Sequence, residues 1–247
     1  MTAVLFDLDG TLLDGSDLPL AVRGVAGLIA TRVPGLDPAD LVAANAAEWQ
    51  DLWPEVEDDW MLGTLAGEQL NDRAWHGTLD RCGVHDDALV ALASAAFREW
   101  EQRVVRPYPD VQPALSALRA AGCRLGLVTN GASVLQRDKL RALGLDDELD
   151  PVVVSSEIGA RKPDRAVFDH AVLTGRLDPA STWFVGDNLW VDVLGARRAG
   201  LRTVWVNRDG RPRPDDAPTP DAEVTSLMEL PALLALRTPG GSSTRTG

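Results

Sequence analysis

Lysine is nearly absent. Of the 24 basic residues, only Lys139 and Lys162 are lysines, the rest being arginine, so each lysine position asks for a reason. Cysteine is as scarce. Cys82 and Cys123 stand far apart, make neither a disulfide framework nor a zinc site, and read as reduced thiols. His76, His85 and His170 show no ligand spacing. No apolar run reaches the roughly 18 residues that span a bilayer. The opening MTAVLFDLDG has no basic n-region and no cleavage site, so no signal peptide is expected. No Asn-x-Ser/Thr sequon occurs, and the expected compartment is the cytoplasm. Positive charge is in deficit overall. The formal charge of −13 argues against a nucleic-acid polymer or an anionic membrane as a partner. The same field repels a phosphorylated metabolite unless a cation stands in the site.

What is present is ordinary globular material: 247 residues, 45% hydrophobic and 25% charged. Thr2 to Phe6 reads as a buried strand ending at an acidic, Gly-containing turn. Helical signals then dominate to about Arg106: Leu18 to Leu28, a helix capped by Asp37-Pro38 running through Leu41 and Trp49, and stretches near Leu65–Leu79 and Asp87–Gln102. Pro107-Tyr108-Pro109 breaks the pattern. Strands and helices then alternate. Strands are predicted over 124–129, 152–155, 182–186 and 202–206, with helices over 111–121, 133–143, 164–173 and 191–199. A short strand near Glu223 and a helix over 227–236 close the pattern. The alternation predicts an α/β fold, a Rossmann-like parallel sheet with helices on both faces. The helical run between the first strand and the rest predicts an all-helical insertion over the carboxyl ends of the strands. The expected division is a core of 1–15 and 107–237, a cap of 16–106 and a flexible tail of 238–247.

Polar groups collect at the ends of those strands. Asp7 and Asp9 follow the first, Thr129 and Asn130 follow RLGLV, Lys162 follows VVVS, and Asp187 and Asp192 follow TWFVG. A parallel sheet gathers these loops at one rim. Carboxylates so gathered repel one another unless a cation sits among them, and hard oxygen donors without His or Cys favour Mg²⁺. A metal with one lysine is the device by which an acidic protein holds a phosphoryl dianion. One carboxylate can attack phosphorus, a second can serve as acid and base, and a hydroxyl with backbone N–H groups can hold the transferred oxygens.

Singly, each stretch has a plain reading: a turn at DLDGT, a turn at Thr-Asn-Gly, a helix start at Lys-Pro-Asp and a solvated loop at GDNLWVD. Together and in order, DLDGTL (7–12), VTNG (128–131), RKPD (161–164) and GDNLWVD (186–192) resemble the four motifs of the haloacid dehalogenase superfamily of phosphohydrolases. The insertion resembles a C1 helical cap of subfamily I, and GDNLWVDVLGARRAGL resembles the nucleotidase and N-acylneuraminate-9-phosphatase branch. The resemblance implies Asp7 as nucleophile and Mg²⁺ ligand, and Asp9 as general acid/base with its backbone carbonyl on the metal. It implies Thr129 and the Asn130 backbone as phosphoryl binders and Lys162 as the neutralising cation. Asp187 becomes a metal ligand, Asp192 one acting directly or through water, and Gly10 and Thr11 shape the turn below the nucleophile.

The expected activity is a Mg²⁺-dependent phosphatase for a small phosphorylated metabolite, a nucleoside monophosphate or sugar phosphate, in a monomer or homodimer. A phosphomutase of the β-phosphoglucomutase type is the alternative. A haloacid dehalogenase is disfavoured because Asp9 and Asp187 are present, and a non-catalytic binding module because Asp7, Asp9, Lys162 and Asp187 are all intact. A phosphonatase is excluded because the cap segment contains no lysine for a Schiff base. Trp49 and Trp53 lie one helical turn apart with Trp60 beyond. Packing between cap helices accounts for them, with stacking on a base or sugar as the alternative. Arg161 reads as a phosphate attractor or a surface ion pair.

Overall fold

The computed structural model describes residues 2–237. Six parallel strands form one sheet in the order β5-β4-β1-β6-β7-β8. They are β1 (Ala3–Phe6), β4 (Arg124–Thr129), β5 (Val152–Val154), β6 (Thr182–Gly186), β7 (Arg202–Val206) and β8 (Ala222–Val224). β1 is buried along its whole length because helices cover both faces of the sheet. Val4 and Phe6 turn to one face, with Val111, Leu115 and Leu118 of helix α5 (Val111–Ala120) and Leu234 of α10 (Leu230–Arg237). Leu5 turns to the other, with Val167 and Phe168 of α8 (Arg165–Thr174) and Ala196 of α9 (Leu194–Arg198). The alternation is the period-two geometry of a strand.

Between β1 and β4 the chain leaves the sheet through β2 (Leu13–Asp14) and returns through β3 (Arg106–Pro107). These two strands pair antiparallel, Leu13 opposite Pro107, so exit and return are clipped together. The sequence pattern missed them because two residues carry no periodicity, and Pro107 reads as a breaker rather than a strand end. Helices α1 (Leu18–Ala30), α2 (Pro38–Leu62), α3 (Gly67–Arg81) and α4 (Asp87–Val104) lie between. Val25 and Ile29, Leu41, Trp75 and Leu79, and Ala93 make a core of their own. Asp37 caps α2 through the amide of Ala39, as its sequence predicts, but the helix runs on past Trp49 and through Pro54 to Leu62. Trp49, Trp53 and Trp60 pack in tilted succession, with ring centroids 6.2 Å and 6.1 Å apart.

Several element boundaries differ from the sequence pattern, three of them beside the site. The strand predicted over 152–155 ends at Val154, and a single turn, α7 (Ser155–Ile158), follows it. The helix after RKPD begins at Arg165, with Asp164 as its N-cap, so Pro163 lies outside the helix rather than in its first turn. The helix predicted over 191–199 opens instead as a π-turn, Leu189–Val193, before α9. The tail expected at 238–247 lies outside the described residues.

Candidate active site

β1 lies in the middle of the sheet, with β4 on one side and β6 on the other. The loops after all three strands therefore meet over its carboxyl end, where open α/β sheets bind ligands. Asp7 leaves β1 there, its amide donating to the Val185 carbonyl at 2.9 Å.

The centre of the site is a buried ammonium. Lys162 Nζ lies 2.5 Å from Asp7 Oδ1 and 2.7 Å from Asp192 Oδ1. Lys162 and Asp192 are closed to solvent and Asp7 nearly so. Burial pushes the Asp7 carboxyl well above its ordinary range. The Lys162 charge opposes that shift, while Asp192 and Asp187 add to it. Burial alone would lower the Lys162 pKa, but the Asp192 and Asp7 carboxylates raise it above its usual value, so the ammonium stays charged.

Asp187 lies beside this pair. Thr11 Oγ1 donates to its carboxylate at 3.2 Å, and Trp205 Nε1 donates to its backbone carbonyl at 2.9 Å. Its side chain reaches solvent, yet crowding by protein atoms and the Asp192 charge push its carboxyl up to about 6. Gly10 makes room for it. With φ at +83° and a Cβ that would stand 2.5 Å from Asp187 Oδ2, only glycine fits there. Among the described residues, one carboxylate oxygen each of Asp7, Asp187 and Asp192 lie within 4.8 Å of one another. Three carboxylates against one ammonium leave an excess of negative charge, and an all-oxygen donor set suits a small hard dication.

The expected site residues converge, with one exception in manner. Asn130 accepts from the Lys162 amide at 2.8 Å and donates to the Lys162 carbonyl at 3.0 Å. Its side chain thus fixes the lysine loop, a task the sequence did not suggest. Thr129 is buried at the end of β4 and accepts from Gln136 Nε2 at 2.6 Å. Asn188 caps the π-turn by accepting from the amides of Trp190 and Val191, and its own amide donates to Asp192 Oδ2 at 3.0 Å. The Asp9 side chain stands outside the three-carboxylate group. Its Oδ1 meets Lys139 Nζ at 2.8 Å and its Oδ2 accepts from Gln136 Nε2 at 2.9 Å, both from α6 (Ser133–Ala142). Gln136 carried no signal in the sequence; for Lys139 the only signal was the scarcity of lysine.

The cap meets this rim. Arg161 pairs with Asp58 at 2.5 Å and Glu57 at 3.3 Å on α2, so it is an ion pair between cap and core. Ser155 Oγ donates to the Met61 carbonyl. The Trp60 ring lies against Gly131, where a Cβ would stand 2.6 Å from it. Beside Lys139 a cavity of about 1320 Å³ opens between cap and α6, walled by Trp49, Trp53, Trp60, Leu70 and Phe97.

Residues 1–200 match the family model of haloacid dehalogenase-like hydrolases. The chain belongs to that family. It is 34% identical over 248 residues to a phosphoserine phosphatase of Thermus thermophilus, covering 93% of this chain and 98% of that one. It is 33% identical over 199 residues to the pyrimidine 5'-nucleotidase YjjG of Escherichia coli, covering 80% and 82%. The magnesium-bound structure of the hydrolase YfnB from Bacillus subtilis superposes with a TM-score of 0.71 at 25% identity, covering 94% of this chain and 98% of that one. The haloacid dehalogenase-like chain is a phosphoric monoester hydrolase with a Rossmann-like core and a helical cap. Among the described residues no helix is long and apolar enough to cross a membrane.

Proposed function

We propose that this hydrolase acts, with Mg²⁺, on a small phosphorylated metabolite, a nucleoside monophosphate or sugar phosphate, through an aspartyl-phosphate on Asp7. The observation that carries this is the buried Lys162 ammonium bridging Asp7 and Asp192 beside Asp187. In this reading Mg²⁺, held by Asp7, Asp187, Asp192 and the Asp9 carbonyl, supplies charge to offset the carboxylates and the phosphoryl oxygens. Lys162 keeps the Asp7 carboxylate aimed and holds a phosphoryl oxygen. Thr129 and the Asn130 backbone hold the others. Asp7 attacks phosphorus as the ester bond breaks, and Asp9 gives its proton to the leaving oxygen. Water then attacks the phosphorus, its proton passes to Asp9, and the Asp7–phosphorus bond breaks.

The leaving group is assigned to the cavity beside Lys139. At about 1320 Å³ it exceeds what a three-carbon ester fills, and its tryptophan wall suits a sugar or base. The kinship with a nucleotidase and the magnesium-bound Bacillus relative agree with this reading. To the same proposal belong a cap of 16–106 on a core of 1–15 and 107–237, a cytoplasmic setting, and a monomer or homodimer.

The test is phosphate release from nucleoside monophosphates, sugar phosphates, phosphoserine and an aryl phosphate, with Mg²⁺ or with EDTA, beside Asp7→Asn. Release that needs Mg²⁺ and vanishes in Asp7→Asn is expected. Undiminished release in EDTA or by Asp7→Asn overturns the mechanism, and a preference for phosphoserine overturns the substrate class.

A further inference from the structure

One of the two lysines is accounted for by the phosphoryl site; the other is not. Lys139 lies one turn along α6 from Gln136, and together they take both oxygens of the Asp9 carboxylate. Lys139 is largely covered and Gln136 wholly so, whereas Asp9 itself is half exposed on its turn. Left alone, a half-exposed carboxylate on a turn is free to rotate into solvent. Gln136 is kept at a cost. Its Nε2, with two protons, faces Asp9, Thr129 Oγ1 and the Asn130 carbonyl, while its Oε1 is buried without a partner. A hydrophobic side chain would avoid the unpartnered Oε1 but would take the donor from all three acceptors.

We propose that Lys139 and Gln136 are positioning residues that hold Asp9 as the base for the second half-reaction. Both groups donate, one to each oxygen of Asp9, so the carboxylate is fixed at two points on its turn for the step in which water is deprotonated and the Asp7–phosphorus bond is cleaved. Lys139, which holds Asp9, also lines the cavity assigned to the leaving group. Glu101 of the cap helix α4 faces the same pair; its carboxyl is raised by burial, lowered by Lys139 and raised by Asp9. The inference rests on the reading of Asp9 as acid and base.

The experiment follows p-nitrophenolate release by stopped flow in Mg²⁺-loaded wild type, Lys139→Met, Lys139→Arg and Asp9→Asn. Nitrophenolate leaves without a proton, so the first turnover does not need the acid. Lys139→Met should keep its first-turnover rate within about threefold of wild type, yet lose tenfold or more in the steady state. A burst of one equivalent would then appear, and Lys139→Arg should restore most of the steady-state rate. Asp9→Asn should show the same split more strongly. Equal loss in both phases, or a steady state within twofold of wild type in Lys139→Met, overturns the role of Lys139. Absence of the split in Asp9→Asn overturns the reading of Asp9 instead.

Discussion

The ammonium of Lys162 lies 2.5 Å from the carboxylate of Asp7, with both side chains nearly sealed from water. Removing one member of a buried pair strands the other's charge, which costs about 3–5 kcal/mol. Lys162→Met leaves Asp7 facing Asp192 with nothing between. The metal-free variant is expected to unfold at markedly lower denaturant concentration than wild type, and added Mg²⁺ should recover part of the loss. A midpoint unchanged in EDTA would show that the pair does not hold the site together.

Asp187 sets a pH dependence. Its carboxyl, normally near 3.8, is raised to about 6 in the folded metal-free protein. Between those values the folded state binds more protons than the unfolded one, so metal-free stability falls as pH rises through that window. In the proposed site a proton and Mg²⁺ would compete for the same oxygens. Mg²⁺ affinity, followed by thermal shift, should therefore weaken as pH drops below about 6. In Asp187→Asn this group's share of the metal-free pH dependence should vanish.

Asp110 carries the opposite sign. Burial would raise its carboxyl, but Arg208, Ser226 and the Leu227 amide together hold it below its usual range. Stability from such a group is present above its unfolded pKa and is lost as pH falls through its folded one. Arg208 also donates to the Thr11 carbonyl at 2.8 Å, tying the turn after Asp7 to the start of α5. Asp110→Ala should cost on the order of 2–3 kcal/mol at neutral pH. The difference from wild type should shrink in acid, as read from urea midpoints.

At Gly131 the Trp60 ring of α2 lies against the loop after β4. Its φ is +134°, and a Cβ would meet the Trp60 ring at 2.6 Å. Gly131→Ala is expected to lower activity at least tenfold with a smaller fall in melting temperature, because strain enters the loop that carries Thr129 and Asn130. Combining it with Trp60→Ala should recover part of the rate. No recovery would locate the whole effect in the backbone.

The six strands of the main sheet, most helices and the four loops at the sheet rim were legible because their signals are contiguous. A buried strand announces itself in four to six residues, and a capped helix in its first turn, as Asp37 does for α2. The scarcity of lysine draws attention to both lysines, and each ends on an aspartate of the rim, Lys162 on Asp7 and Lys139 on Asp9. Asp164 was read past because Pro163 mimics a helix start, and the cap is the aspartate that accepts from the Ala166 amide.

Sequence alone determined which groups stand at the carboxyl ends of β1, β4 and β6, because each follows its own strand directly. Tertiary structure alone decided what each group meets. Gln136 and Lys139 reach Asp9 across 127 and 130 residues of chain, and Arg161 reaches Glu57 across 104. Such contacts depend on how α6 and the cap helices settle on the sheet, where burial sums many weak packing terms over the whole chain. No local pattern encodes that sum, so the clamp on Asp9 and the seam between cap and core emerge only when the chain is folded.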